Sequence, residues 1–228
     1  MIKRIRRITS DWRVAAALLA ISVSACDGYT YNEGDLNEPV RYLLDGKKYE
    51  VPLGYHYIDF LKRRNRWPNP KKEFSEAGAI SITGVIPGFV PYDESNKAEF
   101  ERLGHGNKVS VIVSPNVTVY PMEEYLRCMG GGGRLQLMSN KLEGLTHYWD
   151  SYGGSDETKG ADIYIKQGGS EYFMLRCERV EAPSPACNVT KVRPDGLQIS
   201  YTYSSSHLAL WEGIDREVNK RIDQFRIE

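Results

Sequence analysis

Between Lys108 and Tyr203 the chain runs through a series of short segments rich in β-branched and aromatic residues, and this series constrains the fold more than any other feature. The segments are Lys108 to Val113, Val117 to Tyr120, Arg134 to Met138, Thr146 to Trp149, Ala161 to Lys166, Tyr172 to Cys177, Asn188 to Val192 and Leu197 to Tyr203. Gly153-Gly154, Gly168-Gly169 and Pro194-Asp195-Gly196 punctuate them as turns. Strands this short and this evenly spaced predict an antiparallel sheet or sandwich. Upstream, Ala79 to Thr83 alternates apolar with polar residues and adds another strand. Val40 to Leu44 and Lys48 to Val51 flank Asp45-Gly46, which predicts a tight hairpin because glycine supplies the positive φ the turn needs. Tyr55 to Leu61 is aromatic-rich and of no clear type, and Glu94 to Leu103 predicts a short helix stopped by Gly104.

The chain closes with a different period. Leu208, Trp211, Ile214, Val218, Ile222 and Phe225 recur at three- and four-residue intervals, with Ser206 as the expected N-cap. A stripe of that kind needs an apolar surface to cover, and the preceding sheet supplies one. The expected fold class is therefore α+β: predominantly antiparallel β-sheet with a C-terminal amphipathic helix packed on it.

The first 25 residues stand apart from this pattern. Lys3, Arg4, Arg6 and Arg7 form a basic head, and Val14 to Val23 is apolar over about half a membrane span. The segment ends Val23-Ser24-Ala25-Cys26, which resembles the lipobox of bacterial lipoproteins, with Val23 where leucine is commonest. That resemblance implies cleavage before Cys26, a diacylglycerol on its thiol and a further acyl chain such as palmitate on its amino group. Two or more chains hold a protein stably at a bilayer, where one holds it only marginally. Residues 1–25 are thus a signal peptide, 26–38 a polar tether and 39–228 a single β-rich globular domain. Asp27 resembles the signal that keeps lipoproteins at the inner membrane, facing the periplasm, and the outer membrane stays open as the alternative.

Composition excludes several classes of function. The 228 residues carry 30 basic and 30 acidic side chains, and removal of residues 1–25 leaves 25 and 29. This balance excludes a general nucleic-acid binder. No run of 18 apolar residues exists to span a membrane permanently. In an oxidising compartment the cysteines read as potential disulfides. With Cys26 acylated, Cys177 and Cys187 flank a short loop and form the expected pair. Pairing of Cys128 with either is the alternative, and a lone Cys128 is expected to be buried.

No chemistry-bearing constellation emerges. His56, His105, His147 and His207 lie outside any nucleophile motif, and no CxxC, HxxxH or HExxH spacing suggests a metal. Gly130 to Gly133 lacks the Lys-Ser/Thr of a phosphate loop. The expectation is a protein without catalytic residues, metal or cofactor. Two segments have the composition of an interface: the basic loop 62–72 with Arg64 and Trp67, and the turn containing Tyr148, Trp149 and Tyr152. These five residues are the candidate partner contacts.

Taken together the chain resembles the lipoprotein immunity proteins that protect Gram-negative bacteria against type VI secretion phospholipase effectors. The resemblance rests on Tyr42 to Pro52, on Gly84-Val-Ile-Pro-Gly-Phe-Val-Pro91, and on the C-terminal third. That last part runs from the Cys177–Cys187 loop through Asp195 to Tyr201 and into the helix from Leu208 to Phe225. It implies a stoichiometric inhibitor that binds and neutralises a phospholipase or lipase effector at the periplasmic face of the membrane. An envelope assembly or adaptor lipoprotein with a resident protein partner is the alternative.

Overall fold

The computed structural model describes residues 36–227 apart from 58–67, 69, 71, 116–121, 132, 140–141, 153, 157, 167–171 and 181–183. The signal peptide, Cys26, Asp27 and the tether up to residue 35 lie outside the described residues. So do most of the basic loop, including Arg64 and Trp67, and the strand expected at Val117 to Tyr120.

The hairpin forms as expected. Strands β1 (Pro39–Leu44) and β2 (Lys47–Pro52) pair antiparallel from Pro39↔Pro52 to Leu44↔Lys47. Asp45 and Gly46 both take positive φ, 50° and 73°, the twist that a two-residue turn must have to match right-handed strands. The two-residue β3 (Ser75–Glu76) adds to β1 in parallel, an addition the sequence does not announce.

All other strands belong to one eight-stranded antiparallel sheet, which bears out the expected fold class. They are β4 (Ile80–Val85), β5 (Lys108–Pro115), β6 (Leu135–Leu137), β7 (Thr146–Asp150), β8 (Ala161–Ile165), β9 (Tyr172–Glu178), β10 (Ala186–Val192) and β11 (Leu197–Ser204). Their spatial order is β4-β5-β11-β10-β9-β8-β7-β6. After β5 the chain crosses to the far edge and returns strand by strand, until β11 seals against β5. One row of register partners, Ile82, Val111, Tyr201, Val189, Leu175, Tyr164 and His147, crosses seven strands and is buried throughout.

Three α-helices accompany the sheets among the described residues: α1 (Lys97–Glu101), α2 (Met122–Gly130) and α3 (Trp211–Phe225). The C-terminal stripe behaves as its spacing requires. Ile214, Val218, Ile222 and Phe225 enter one core with the sheet strands and with Leu44, Tyr49 and Val51 of the hairpin. Lys191 lies in this layer. Its ammonium meets both Asp215 oxygens of α3 at 2.9 and 3.0 Å, and the Tyr201 hydroxyl donates to Asp215 at 2.9 Å. A smaller cluster beneath α1 stacks Tyr57 on Tyr92 at 4.0 Å, with Phe100 edge-on to both. No helix among the described residues is long and apolar enough to cross a membrane.

Three local expectations need correction. The helix expected from Glu94 to Leu103 shrinks to α1, because Asp93 Oδ1 accepts the backbone N–H groups of Ser95 and Asn96 and holds residues 94–96 in a turn. The final helix begins at Trp211, after a 3₁₀ segment Ser205–Leu210, and the capping oxygen belongs to Ser204, which accepts from Ser206 N. Cys128 is exposed on α2 rather than buried.

Cys177 and Cys187 are direct cross-strand partners of β9 and β10, both buried and joined at an S–S distance of 2.03 Å. The alternative pairings through Cys128 do not form. For a closed loop of 10 residues, chain-entropy arguments give a stabilisation of about 2–3 kcal/mol. The Cys177→Ala/Cys187→Ala double variant is therefore expected to unfold at a lower urea concentration by that free energy. An unchanged midpoint would show that strand pairing alone holds β9 to β10.

Candidate partner-binding site

The turn that leaves β7 gathers charged and aromatic groups from three distant parts of the chain. β7 ends at Asp150, whose carboxylate is fully buried. Arg134, which precedes β6, donates to both of its oxygens, through Nε to Oδ1 and through Nη2 to Oδ2 at 2.9 Å. Arg176 of β9 donates Nη1 to Oδ2 at 3.2 Å, and the backbone N–H of Tyr152 donates to Oδ1 at 3.1 Å. Burial acts to raise the Asp150 pKa. Donation by Arg134 and the Tyr152 N–H, with the charge of Arg134 and a bond from Arg176, outweighs it and holds the carboxyl below its ordinary value.

Tyr152 stands on this base. Its φ of 53° lies in the left-handed region, which costs a bulky residue conformational energy and is held here by the Asp150 bond and by Ser151. The Ser151 N–H and hydroxyl both donate to the Arg134 carbonyl, at 3.0 and 3.1 Å. The guanidinium groups of Arg134 and Arg176 approach the Tyr152 ring at 5.1 and 5.2 Å from its centroid. The phenol donates to Glu178 and accepts from Arg176, which also donates to Glu178 at 2.8 Å. Burial, and next the Glu178 carboxylate, push the phenol pKa up, so it stays protonated. Tyr125 of α2 is a further partner of Arg176. The result is a tyrosine 48% exposed to solvent, with its backbone and its hydroxyl fixed in advance and two guanidinium groups against its ring.

Close behind the turn, Gly160 starts the approach to β8. A Cβ there would lie 2.0 Å from the Asp150 carbonyl, at a φ of 93°, so only glycine lets the two strands close beside the site.

The other expected contacts are placed differently. Tyr148 is half-buried on β7, opposite Ile163 and Leu137. Trp149 is 3% exposed; its Nε1 donates to the Lys159 carbonyl at 2.9 Å and Arg179 covers its ring at 5.6 Å. It packs the interior and is withdrawn as a partner contact, because both faces of β7 are covered at this end and a buried ring offers a partner no surface. Arg134, Asp150, Arg176 and Glu178 were not singled out from the sequence. Only the pairing of β6, β7, β8 and β9 brings them together.

The rings of His56, His147 and His207 are engaged in structural contacts. His147 Nε2 lies 2.7 Å from Asp162 Oδ1, the ring stacks on Tyr164 at 4.4 Å, and Arg179 donates to both Asp162 oxygens at 2.6 and 2.9 Å. The ring nitrogen a general base would offer to a nucleophile thus faces a carboxylate in a buried setting. His207 Nε2 meets the Gly106 carbonyl at 3.1 Å. Among the described residues no group of three His, Cys, Asp or Glu is placed to hold a metal ion.

No family model and no curated protein matches the sequence. The fold, however, is shared with solved structures. The iron-regulated outer membrane lipoprotein FrpD of Neisseria meningitidis superposes with a TM-score of 0.60 at 18% identity, over 84% of this chain and 93% of FrpD. Smlt3025, an immunity protein of the Stenotrophomonas maltophilia type IV secretion system, superposes with a TM-score of 0.55 at 17% identity, over 84% of this chain and 94% of its own. The chain thus has the architecture found in an outer membrane lipoprotein and in a secretion-system immunity protein.

Proposed function

We propose that this protein is a lipid-anchored, periplasm-facing immunity protein that binds a secreted toxin and blocks it stoichiometrically. The observation that carries the reading is the Tyr152 clamp. An exposed tyrosine whose rotamer and backbone are already fixed loses little entropy on binding, and such aromatic residues flanked by arginines dominate interface energetics. Tyr152 holds its positive φ on a half-exposed turn, whereas Phe89, the other aromatic residue described at positive φ, is buried in the core.

Three further points support it. The lipobox-like Val23-Ser24-Ala25-Cys26 gives the address, with Asp27 favouring the inner membrane. A tether at that surface raises the inhibitor's effective concentration where a toxin arrives. The fold is one that an immunity protein uses. The toxin class we infer is a phospholipase or lipase effector, as the sequence resemblance implies. That resemblance points to type VI delivery, whereas the solved immunity protein serves a type IV system. Blocking demands the same of this chain in either case: one rigid face and no catalysis. The likeness to FrpD favours a second reading, an adaptor lipoprotein with a resident envelope partner.

Co-expression of a periplasm-targeted lipase encoded beside the gene, with and without this protein, separates the two. Rescue of the cells and a tight complex are expected for the toxin reading. Tyr152→Ala is expected to weaken that complex about thirtyfold, the effect of losing roughly 2 kcal/mol at a hot spot. Equal killing in both cultures would overturn it.

A further inference from the structure

A second surface, with no lining residue in common with the Tyr152 clamp, is built where the 3₁₀ segment Ser205–Leu210 passes into α3. A cleft of about 550 Å³ opens there between Ile86 and Pro87, in the turn after β4, and the first turns of the helix. Ala209, Leu210 and Ile214 continue its apolar lining, and Leu210 is 57% exposed. Glu212 and Glu217 stand at the cleft, and Gly88 N donates to Glu217 at 2.8 Å and fixes that carboxylate. Neither lysine nor arginine is among the described residues that line it.

Gly213 gives the cleft its meaning. Glycine inside a helix lowers helix stability relative to alanine. At Gly213 nothing in the fold asks for it: its φ lies outside the left-handed region, and a Cβ would meet no atom within 4 Å. What the missing Cβ leaves open is the cleft itself, which Gly213 lines. The chain forgoes helix stability at the position where a side chain would fill the hollow.

We propose that this cleft binds a segment of a partner protein in which an apolar side chain is flanked by lysine or arginine. The apolar floor takes the hydrocarbon and the two carboxylates take the cationic flanks. Charge complementarity selects this occupant, since the same carboxylates repel anionic lipid headgroups and acidic segments. The assignment concerns the chemistry of the bound segment and holds whether the partner is a toxin or a resident envelope protein.

The test uses the full chain in zwitterionic lipid nanodiscs and a short fluorescent peptide of leucines flanked by lysines. The same peptide with glutamate for lysine and empty nanodiscs serve as comparisons, with binding read by anisotropy. The lysine peptide is expected to bind the protein-bearing discs and the glutamate peptide is not. Gly213→Leu, which fills the cleft, and Glu212→Lys/Glu217→Lys, which reverses its charge, are each expected to weaken binding roughly tenfold or more. Gly213→Ala is expected to raise the thermal midpoint while weakening the same binding. Unaltered affinity in Gly213→Leu, equal binding of the glutamate peptide or of empty discs, or a lowered midpoint in Gly213→Ala would each overturn the proposal. Absence of toxin neutralisation by the unaltered protein, with peptide binding present, would count against the toxin reading alone.

Discussion

Asp150→Ala is expected to lower the unfolding free energy by about 3 kcal/mol, enough to drop the thermal midpoint by roughly 10 °C in a domain of this size. The carboxylate is fully buried and receives bonds from Arg134, Arg176 and the Tyr152 N–H. Removing it strands cationic groups that were placed to meet it, and an uncompensated charge away from water costs more than the intact pair contributes. Arg134 is partly solvated, so the effect falls at the lower end of that range. A control is available one turn further on. Lys159 and Asp156 form a pair exposed on both sides, and Asp156→Ala is expected to change stability far less than Asp150→Ala does. The variants also differ in what they do to binding. Losing Asp150 releases the N–H that holds Tyr152 at positive φ, so affinity for a partner falls with stability, whereas Tyr152→Ala leaves the buried carboxylate with both arginines and costs affinity with a much smaller loss of stability. Because the Asp150 pKa is depressed in the folded state, its contribution is complete above the unfolded carboxylate value, near 4, and is lost as the pH falls below it. Calorimetry of the two variants at neutral pH checks the difference.

How much of this arrangement could be read from the sequence depends on how local each signal is. The hairpin at Asp45-Gly46, the serial strands and the stripe from Ile214 to Phe225 are legible because turn chemistry and side-chain period act over a few residues. Helix α2 left traces too: Pro121 stands before it and a glycine run follows, the punctuation of a helix start and stop. Those glycines also suit a loop, and the helix is short, so its period does not settle the matter. Trp149 shows a different limit. Adjacent residues in β7 face opposite sides, and an exposed strand would bury one of Trp149 and Asp150; here both are buried, so both faces are covered. A strand sequence ending Tyr-Trp-Asp cannot announce which side is wet. The clamp itself was illegible beyond Tyr152, because Arg134 and Arg176 come to Asp150 through the pairing of four strands, and register is a property of the whole sheet.

Acidification should reveal a second buried group, His56, over a window that opens well above the carboxylate range. The ring is 5% exposed at the end of the 3₁₀ turn Leu53–His56, between β1 and β4. Its Nδ1 lies 2.9 Å from the Ser81 carbonyl, which can only accept, so Nδ1 carries the proton and Nε2 is left to accept from the Tyr42 hydroxyl at 3.4 Å. Burial drives the His56 pKa down to about 4, and the Ser81 contact opposes that only in part. Tyr42 cannot supply a compensating charge, because burial pushes its own pKa up to about 12. Above pH 6.5 the imidazole is neutral in both the folded and the unfolded chain, and the full stability is present. From there down to about 4 the unfolded chain takes up a proton that the folded chain refuses, so stability falls with pH, by about 3 kcal/mol in all. His105, lowered by partial burial and then by Lys108, adds to the slope with the same sign. Urea unfolding at intervals from pH 7.5 to 4.5 should show this loss. His56→Gln should be less stable at pH 7.5, since it fills the site imperfectly, yet should flatten most of the decline. A parallel pair of curves would mean that the proton enters elsewhere. The window opens well above the carboxylate range, so the onset of the His56 loss precedes that of the Asp150 contribution along one pH axis, and each variant changes its own part of the curve.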